Sequence, residues 1–146
     1  MIYADTSAIV KLYVREEYSR EVSEWIRMRN ESIPLTPLHE LELINAVKLK
    51  CFRNEMSAKQ SEIILTNFGR HERIGVFYRP QIGWADMLSV AMQLSGKHTE
   101  TTGSRTVDIM HVAMALSIGA VSFLTFDDKQ SKLALIAGLT LEKYEN

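Results

Sequence analysis

The sequence predicts an α/β fold in which helices cover both faces of a parallel sheet. Short apolar runs rich in β-forming residues alternate with longer segments of helical periodicity, which is the pattern of parallel strands joined by crossover helices. The chain has 146 residues, 46% of them hydrophobic and 24% charged, which suits one folded domain with a sizeable core. We therefore expect a single domain over residues 1–146, with ligands bound at the carboxyl ends of the strands.

The first half of the chain is expected to contain two strands and four helices. The apolar run 1–4 ends at Asp5, Thr6 and Ser7, residue types that cap helices, so a strand should lead into a helix that ends near residue 13. Thr36-Pro37 is a strong helix start. Periodicity and these signals predict a strand over 32–35 and helices over 18–28, 38–52 and 57–73.

The second half repeats the alternation. Gly119 should end a helix that Thr106 or a neighbour begins, and Asp127-Asp128 should start the last helix. The expected strands are 75–78, 121–125 and 139–141, the expected helices are 84–94, 106–118 and 127–136, and residues 96–104 should form a polar loop.

The composition of the chain indicates where in the cell the protein is expected and which kinds of partner it can bind. The single cysteine, Cys51, excludes an internal disulfide, and the N-terminus lacks a basic signal-peptide region, so we expect a cytoplasmic protein. Residues 109–126 contain no charged side chain but include polar ones and a change from helix to strand, so no membrane span is expected. The net charge of −1 does not indicate a nucleic-acid binder. If four of the carboxylates belong to a metal site, the remaining formal charge is +3, which permits a nucleic-acid substrate.

Two aspartates lie directly after expected strands, and a third lies at the start of a helix between them. Asp5 follows residues 2–4, Asp127 follows 123–126, and Asp108 is in the first turn of the helix before the latter strand. Strand ends of this kind form the binding crevice of an open α/β sheet. Each aspartate could instead act only as a helix cap, but their combination favours a shared site.

A glutamate from the middle helix is expected to join them, and periodicity leaves two candidates. Glu42 lies in an arc with Leu38, while Glu40 lies between Val47 and Cys51, and either can point inward. Carboxylates in one crevice repel each other unless a cation neutralises them. Because hard divalent ions prefer oxygen ligands, Mg²⁺ or Mn²⁺ is expected.

Four short segments around these acidic residues occur in a fixed order and spacing. They are MIYADTSA at 1–8, TPLHELELINA at 36–46, TVDIMHVAMAL at 106–116 and FLTFDDKQ at 123–130. Together they resemble the motifs of the PIN domain family, and within it the VapC-type toxins of toxin–antitoxin pairs. The resemblance implies a three-layer α/β/α sandwich with a central, mostly parallel sheet of about five strands. It also implies an acidic site built from Asp5, Glu42, Asp108 and Asp127, and so favours Glu42 over a solvent-facing Glu40.

This resemblance implies a Mg²⁺- or Mn²⁺-dependent endoribonuclease, in which metal-activated water hydrolyses RNA phosphodiesters. Asp5 and Asp108 would be the principal metal ligands, Glu42 a ligand or the residue that orients the water, and Asp127 an outer ligand. The supporting residues expected around them are Thr6, Ser7, Thr125 and the reserve candidate Asp128. The basic residues expected to bind RNA are Lys11, Arg15, Arg105 and Lys129, although a solvated surface explains them equally well.

The histidines are expected to be structural. His111 lies one turn after Asp108 and could reach a metal, but a packing role or a supporting contact is favoured. The other three, His39, His71 and His98, are in polar surroundings and are expected at the surface. Cys51 is expected in the core.

The resemblance also implies partners: a cognate antitoxin that lays an amphipathic segment over the toxin, and a second copy of the chain in a homodimer. Trp25, Met28 and the apolar helix 38–52 are the candidate groove, although such stripes are more often core.

A phosphotransfer receiver domain would need paired acids after the first strand, and an Asp-x-Asp phosphohydrolase would need an acid at position 7, which is Ser. A PIN fold that binds RNA or antitoxin without cleavage, and a PIN nuclease of RNA processing, stay open as alternatives.

Overall fold

A computed structural model describes residues 1–142. Its five strands and seven helices alternate along the chain. This confirms the predicted α/β class. The strands are β1 (Ile2–Ala4), β2 (Ile33–Pro34), β3 (Phe77–Tyr78), β4 (Ser122–Leu124) and β5 (Thr140–Leu141). The helices are α1 (Thr6–Val10), α2 (Ser19–Met28), α3 (Pro37–Phe52), α4 (Ala58–Arg73), α5 (Trp84–Thr102), α6 (Thr106–Ser117) and α7 (Asp128–Ile136).

The contacts of the chain divide it into two compact units. The first contains Met1–Ser7 and the described residues from Pro80 onward. Its sheet has the order β1-β4-β5 with every pair parallel, and α5, α6 and α7 pack against one another. In the centre of the β1–β4 pair, Tyr3 lies opposite Phe123, and their rings stack with centroids 5.4 Å apart. Both side chains are fully buried, so this pair anchors the core of the first unit.

The second unit contains Ala8–Arg79. Its sheet is the parallel pair β2–β3, in which Ile33 lies opposite Phe77, and α3 packs on α4. The five strands expected in one central sheet are therefore hydrogen-bonded as a three-stranded and a two-stranded sheet among the described residues. The single domain over 1–146 stays a prediction, and residues 143–146 of that range lie outside the described part.

Most of the predicted helix starts and ends are confirmed. Asp127 caps α7, and Thr36 precedes Pro37 at the first position of α3. Gly119 follows α6 with φ of 74°, a left-handed conformation that costs glycine little. The region 109–126 is helix, turn and strand as predicted, and none of the helices within residues 1–142 is long and apolar enough to cross a membrane.

The polar loop expected over 96–104 is wrong, because α5 continues from Trp84 to Thr102. Polar side chains in the last turns bond along the helix: the Thr102 hydroxyl donates to the His98 carbonyl at 2.9 Å, and Ser95 and Thr99 share a hydrogen bond at 3.2 Å. Packing of α5 on α6 and α7 supplies the stability that local composition does not predict. The helix ends at Gly103, whose φ is 64°.

Substitution by alanine should have opposite effects on stability at Gly96, which lies inside α5, and at Gly103, which ends it. A Cβ at Gly96 would meet no atom within 4 Å, and φ at Gly103 is positive. We expect Gly96→Ala to raise the free energy of unfolding by about 0.5–1 kcal/mol, as in a helix interior, and Gly103→Ala to lower it by about 1 kcal/mol. Urea unfolding followed by circular dichroism measures both. A destabilising Gly96→Ala would contradict the continuous α5.

Candidate active site

The Asp5 side chain lies at the carboxyl end of β1, where two hydroxyl groups hold it. The backbone N–H of Asp5 donates to the Leu124 carbonyl at 3.0 Å, which extends the β1–β4 pairing by one residue. The Ser7 hydroxyl donates to Oδ1 at 2.7 Å, and the Thr125 hydroxyl lies 2.6 Å from Oδ2. Asp5 is only 3% exposed, so its carboxylate is fixed in a largely dehydrated position.

The loop after β4 is tied to the same residues. The Phe126 N–H donates to the Ser7 hydroxyl at 3.2 Å, and the Asp127 N–H donates to the Thr125 hydroxyl at 3.1 Å. Asp127 Oδ1 in turn accepts from the Gln130 N–H at 2.8 Å as the N-cap of α7. Ser7 and Thr125, which were predicted as supporting residues, thus contact Asp5 and the loop that carries Asp127.

Gln130 is a site residue that the sequence analysis missed. It is 2% exposed. Its Oε1 lies 2.9 Å from the Thr125 hydroxyl, and its Nε2 donates to the Asp108 carbonyl at 3.3 Å. Because the Thr125 hydroxyl has one proton, its short contact with the Asp5 carboxylate and its contact with Gln130 Oε1 share that proton. Gln130 thereby links the β4 loop, α7 and α6; its place in the FLTFDDKQ segment was the one available signal.

Asp108 is the third residue of α6 and is 8% exposed. Its Oδ2 accepts from the backbone N–H of Arg105 at 3.0 Å and from Arg105 Nε at 3.2 Å. Asp108 therefore acts as a helix-capping residue, as the alternative interpretation of the sequence predicts. The same carboxylate oxygen also pairs with the Arg105 guanidinium. The Arg105 side chain is 77% exposed, so this ion pair is weak and open to competition.

His111 connects α6 to β1. It is 2% exposed. Its Nδ1 lies 2.7 Å from the Tyr3 hydroxyl, and its Nε2 lies 3.2 Å from the Thr6 hydroxyl. Both ring nitrogens thus have hydroxyl partners next to Asp5, which agrees with the structural role expected for His111. Thr6, expected to support the ligands, contacts His111.

The surface position expected for His39 and the core position expected for Cys51 are wrong. His39 is fully buried, because at the third position of α3 its ring folds back onto the N-cap and accepts the Thr36 N–H at 3.0 Å. His71 is half-buried, with Nδ1 2.7 Å from the Tyr13 hydroxyl, and burial lowers its pKa. His98 is also half-buried, and Cys51 is half-buried rather than in the core.

The other predicted site residues are Glu42, Lys11, Arg15, Asp128 and Lys129. Glu42 is half-buried on α3 in the second unit, where Glu40 accepts from Arg79 at 3.1 Å. Lys11 lies 3.5 Å from Glu16. The residues Arg15, Asp128 and Lys129 are exposed. The roles of Glu42, of the reserve Asp128 and of the four basic residues stay predictions.

The donor types of the first unit fit a hard cation, although the described residues do not bring three of them together. Asp5, Asp108 and Asp127 offer carboxylate oxygens on connected elements, and the buried Asp5 is held by hydroxyls. Such ligands suit Mg²⁺ or Mn²⁺. Within residues 1–142, no three His, Cys, Asp or Glu side chains are arranged so that they could hold a metal ion. Protein donors occupy each of the three carboxylates instead.

Comparisons with known proteins place this geometry in a family context. The family model of the PIN domain matches residues 2–136. VapC20 of Mycobacterium tuberculosis, described as a toxin that cleaves the sarcin–ricin loop, has a similar structure with a TM-score of 0.69 and 16% identity, over 90% of this chain and 94% of that one. No curated protein matches by sequence.

Two further solved structures are similar. FitAcB of Neisseria gonorrhoeae has a TM-score of 0.67 and 17% identity, over 98% of this chain and 97% of that one. VapBC-1 of nontypeable Haemophilus influenzae has a TM-score of 0.66 and 17% identity, over 99% and 98%. The three likenesses confirm the PIN-type fold.

The bridging role of Gln130 can be tested by stability. Gln130→Met keeps most of the side-chain volume but removes both side-chain hydrogen bonds in a buried position, so we expect the free energy of unfolding to fall by about 1–3 kcal/mol. Gln93→Met is the matched control, because Gln93 is exposed on α5; it should change stability by less than about 0.5 kcal/mol. Equal effects in urea unfolding would contradict the bridge.

Proposed function

Because the chain belongs to the PIN domain family, we propose that it is a divalent-metal-dependent endoribonuclease and the toxin of a toxin–antitoxin pair. The observation that carries this proposal is the buried Asp5 carboxylate, held by Ser7 and Thr125 at the end of β1 and linked through Thr125 and Gln130 to Asp108. A buried acid at a strand end, supported on both oxygens, is typical of a preorganised ligand.

The metal would be held by Asp5 and Asp108 as principal ligands, with Asp127 as an outer ligand and Glu42 as a ligand or as the residue that orients water. Mg²⁺ or Mn²⁺ supplies an activated water and neutralises charge on the phosphodiester when it is bound. His111, the histidine next to this site, contacts the Tyr3 and Thr6 hydroxyls.

The side chains around the carboxylates have distinct tasks in this proposal. Ser7 and Thr125 fix the rotamer of Asp5, since each donates to a different oxygen. Arg105 neutralises Asp108 when no metal is present and, being largely exposed, is able to leave it for an RNA phosphate. The other residues proposed to bind phosphate are Lys11, Arg15 and Lys129.

The toxin assignment and the antitoxin partner rest on likeness. VapC20 is described as a toxin, and VapBC-1 shares the fold. On the second unit Met28 and Phe52 are each 83% exposed and Leu41 is 65% exposed, so apolar side chains of α2 and α3 are available to an amphipathic antitoxin segment. Trp25, the remaining candidate, is half-buried. A homodimer and a cytoplasmic location belong to the same proposal.

Cleavage by the purified protein tests the enzyme directly. Wild type should cut a mixed RNA pool with Mg²⁺ or Mn²⁺ and should be inactive in EDTA. Asp5→Asn should lower the rate by at least about 100-fold, because it removes the charge of a principal ligand. Asp86→Asn, an exposed acid in the first turn of α5, is the matched control and should retain full activity.

Two results would overturn the enzyme assignment. If Asp5→Asn cuts as well as wild type, the activity comes from a contaminant. If wild type neither cuts RNA nor binds Mn²⁺ in a calorimetric titration, the acidic site is not a metal site. The protein is then better explained as a module that binds RNA or antitoxin without cleavage. A thermal melt of each variant separates loss of function from loss of fold.

A further inference from the structure

A cleft in the unit formed by Ala8–Arg79 has no part in the function proposed above. Its volume is about 530 Å³, within the range of about 300–1,000 Å³ typical of sites for small molecules. Its walls come from the last turns of α2 and α4 and from the segments that lead into β2 and β3. The lining residues used below are Ile26, Arg27, Arg29, Glu31, His71 and Ile74.

The charge of the cleft is positive. Arg27 and Arg29 contribute two cations and Glu31 one anion, which leaves a net charge of +1 on the lining side chains. The last turn of α4, which supplies His71 to the cleft, also carries Arg70 and Arg73. The whole segment Ala8–Arg79 contains 12 basic and 10 acidic residues, against 5 and 8 in the rest of the chain, so an anion meets the more favourable field here.

The Arg29 guanidinium is held by an aromatic ring as well as by an opposite charge. Its guanidinium carbon lies 4.4 Å from the centre of the Trp25 ring, and Nη1 lies 3.6 Å from Glu31 Oε1. At 3.6 Å the pair with Glu31 is loose, and its side chains are 30% and 48% exposed. A phosphate, which accepts two parallel N–H groups, is a stronger partner for a guanidinium than a loosely paired exposed carboxylate.

The same cleft also has an apolar wall and a neutral polar group. Ile74 is 61% exposed, and Ile26 lines the cleft with it, which offers a surface for a flat apolar group. His71 adds ring N–H or N acceptor capacity but little positive charge, because burial and the neighbouring Arg70 lower its pKa. Its Nδ1 is fixed by Tyr13 at 2.7 Å.

From these features we propose that the cleft binds a nucleotide, with Arg27 and Arg29 on its phosphate and the base against Ile26 and Ile74. The nucleotide is either free or part of an RNA chain. The free form does not depend on the proposed ribonuclease function, whereas the RNA form rests on it.

The test uses the full chain in EDTA, where the metal-dependent activity is silent, so that failure of this proposal and failure of the proposed function are distinguishable. The probes are AMP, inorganic phosphate and a fluorescein-labelled 12-nucleotide RNA. In a Trp84→Phe background the remaining tryptophan is Trp25, whose fluorescence reports movement of Arg29. Calorimetry gives an independent affinity for AMP.

Three variants test the proposal, two of them by a loss of affinity for AMP and one by a gain. Arg27→Gln and the double variant Arg27→Gln/Arg29→Gln should weaken AMP binding, the latter by at least about tenfold, since two charge-assisted contacts are lost. Glu31→Gln should strengthen it by about twofold or more, because it removes a competing anion. Arg20→Gln is the matched control: Arg20 is on α2, 84% exposed and paired with Glu24, and should leave the affinity within about twofold of wild type.

Any of three outcomes would overturn the proposal. Wild type binds neither AMP nor RNA at millimolar AMP and micromolar RNA, or Arg27→Gln and Arg20→Gln weaken binding equally, or phosphate binds as tightly as AMP. Arg27 is exposed, so this comparison does not depend on a variant that fails to fold. AMP that displaces the RNA supports a site for one nucleotide. RNA binding that AMP does not displace, but that Arg27→Gln weakens, supports a site for nucleotides within a chain. Phosphate that binds as tightly as AMP contradicts a role for the apolar wall.

Discussion

The parallel pairing of β1 with β4 is the interaction on which the acidic site depends. Three residues of each strand lie opposite each other, and the N–H of Asp5 adds one more bond to Leu124 beyond the last pair. This register brings Asp5 to within 2.6 Å of the Thr125 hydroxyl although the two residues are 120 positions apart in sequence. A slip of one residue would turn Asp5 to the other face of the sheet and break that contact.

The buried polar groups around this pair support one another. Thr125 contacts both Asp5 and Gln130, and Gln130 reaches α6, while His111 joins α6 to Tyr3 and Thr6. A buried polar group without a partner is costly, so such a network is stable only in one arrangement. The unit thus gains rigidity at the edge where a ligand would bind.

Helix capping and metal binding are compatible roles for the same aspartates. Asp127 and Asp108 each accept a backbone N–H at the start of a helix, which is sufficient to account for their placement. A carboxylate has about four lone-pair sites, so one N–H bond leaves acceptor capacity for a cation. At Asp108 the cation in this structure is Arg105. The proposed metal would compete with that exposed side chain and would leave the helix cap intact.

The sequence by itself determined the alternation of strands and helices, the starts of α3 and α7, the turn at Gly119 and the acids that follow β1 and β4. These are local properties, because capping residues, periodicity and glycine conformations act within a few residues of chain. The tertiary structure decided the continuation of α5 past Gly96, the burial of His39, the bridge made by Gln130 and the division of the strands into two sheets. Those features depend on packing surfaces and partners supplied by other elements, many of them distant in sequence, and a single sequence shows which side chains can bond but not which ones meet.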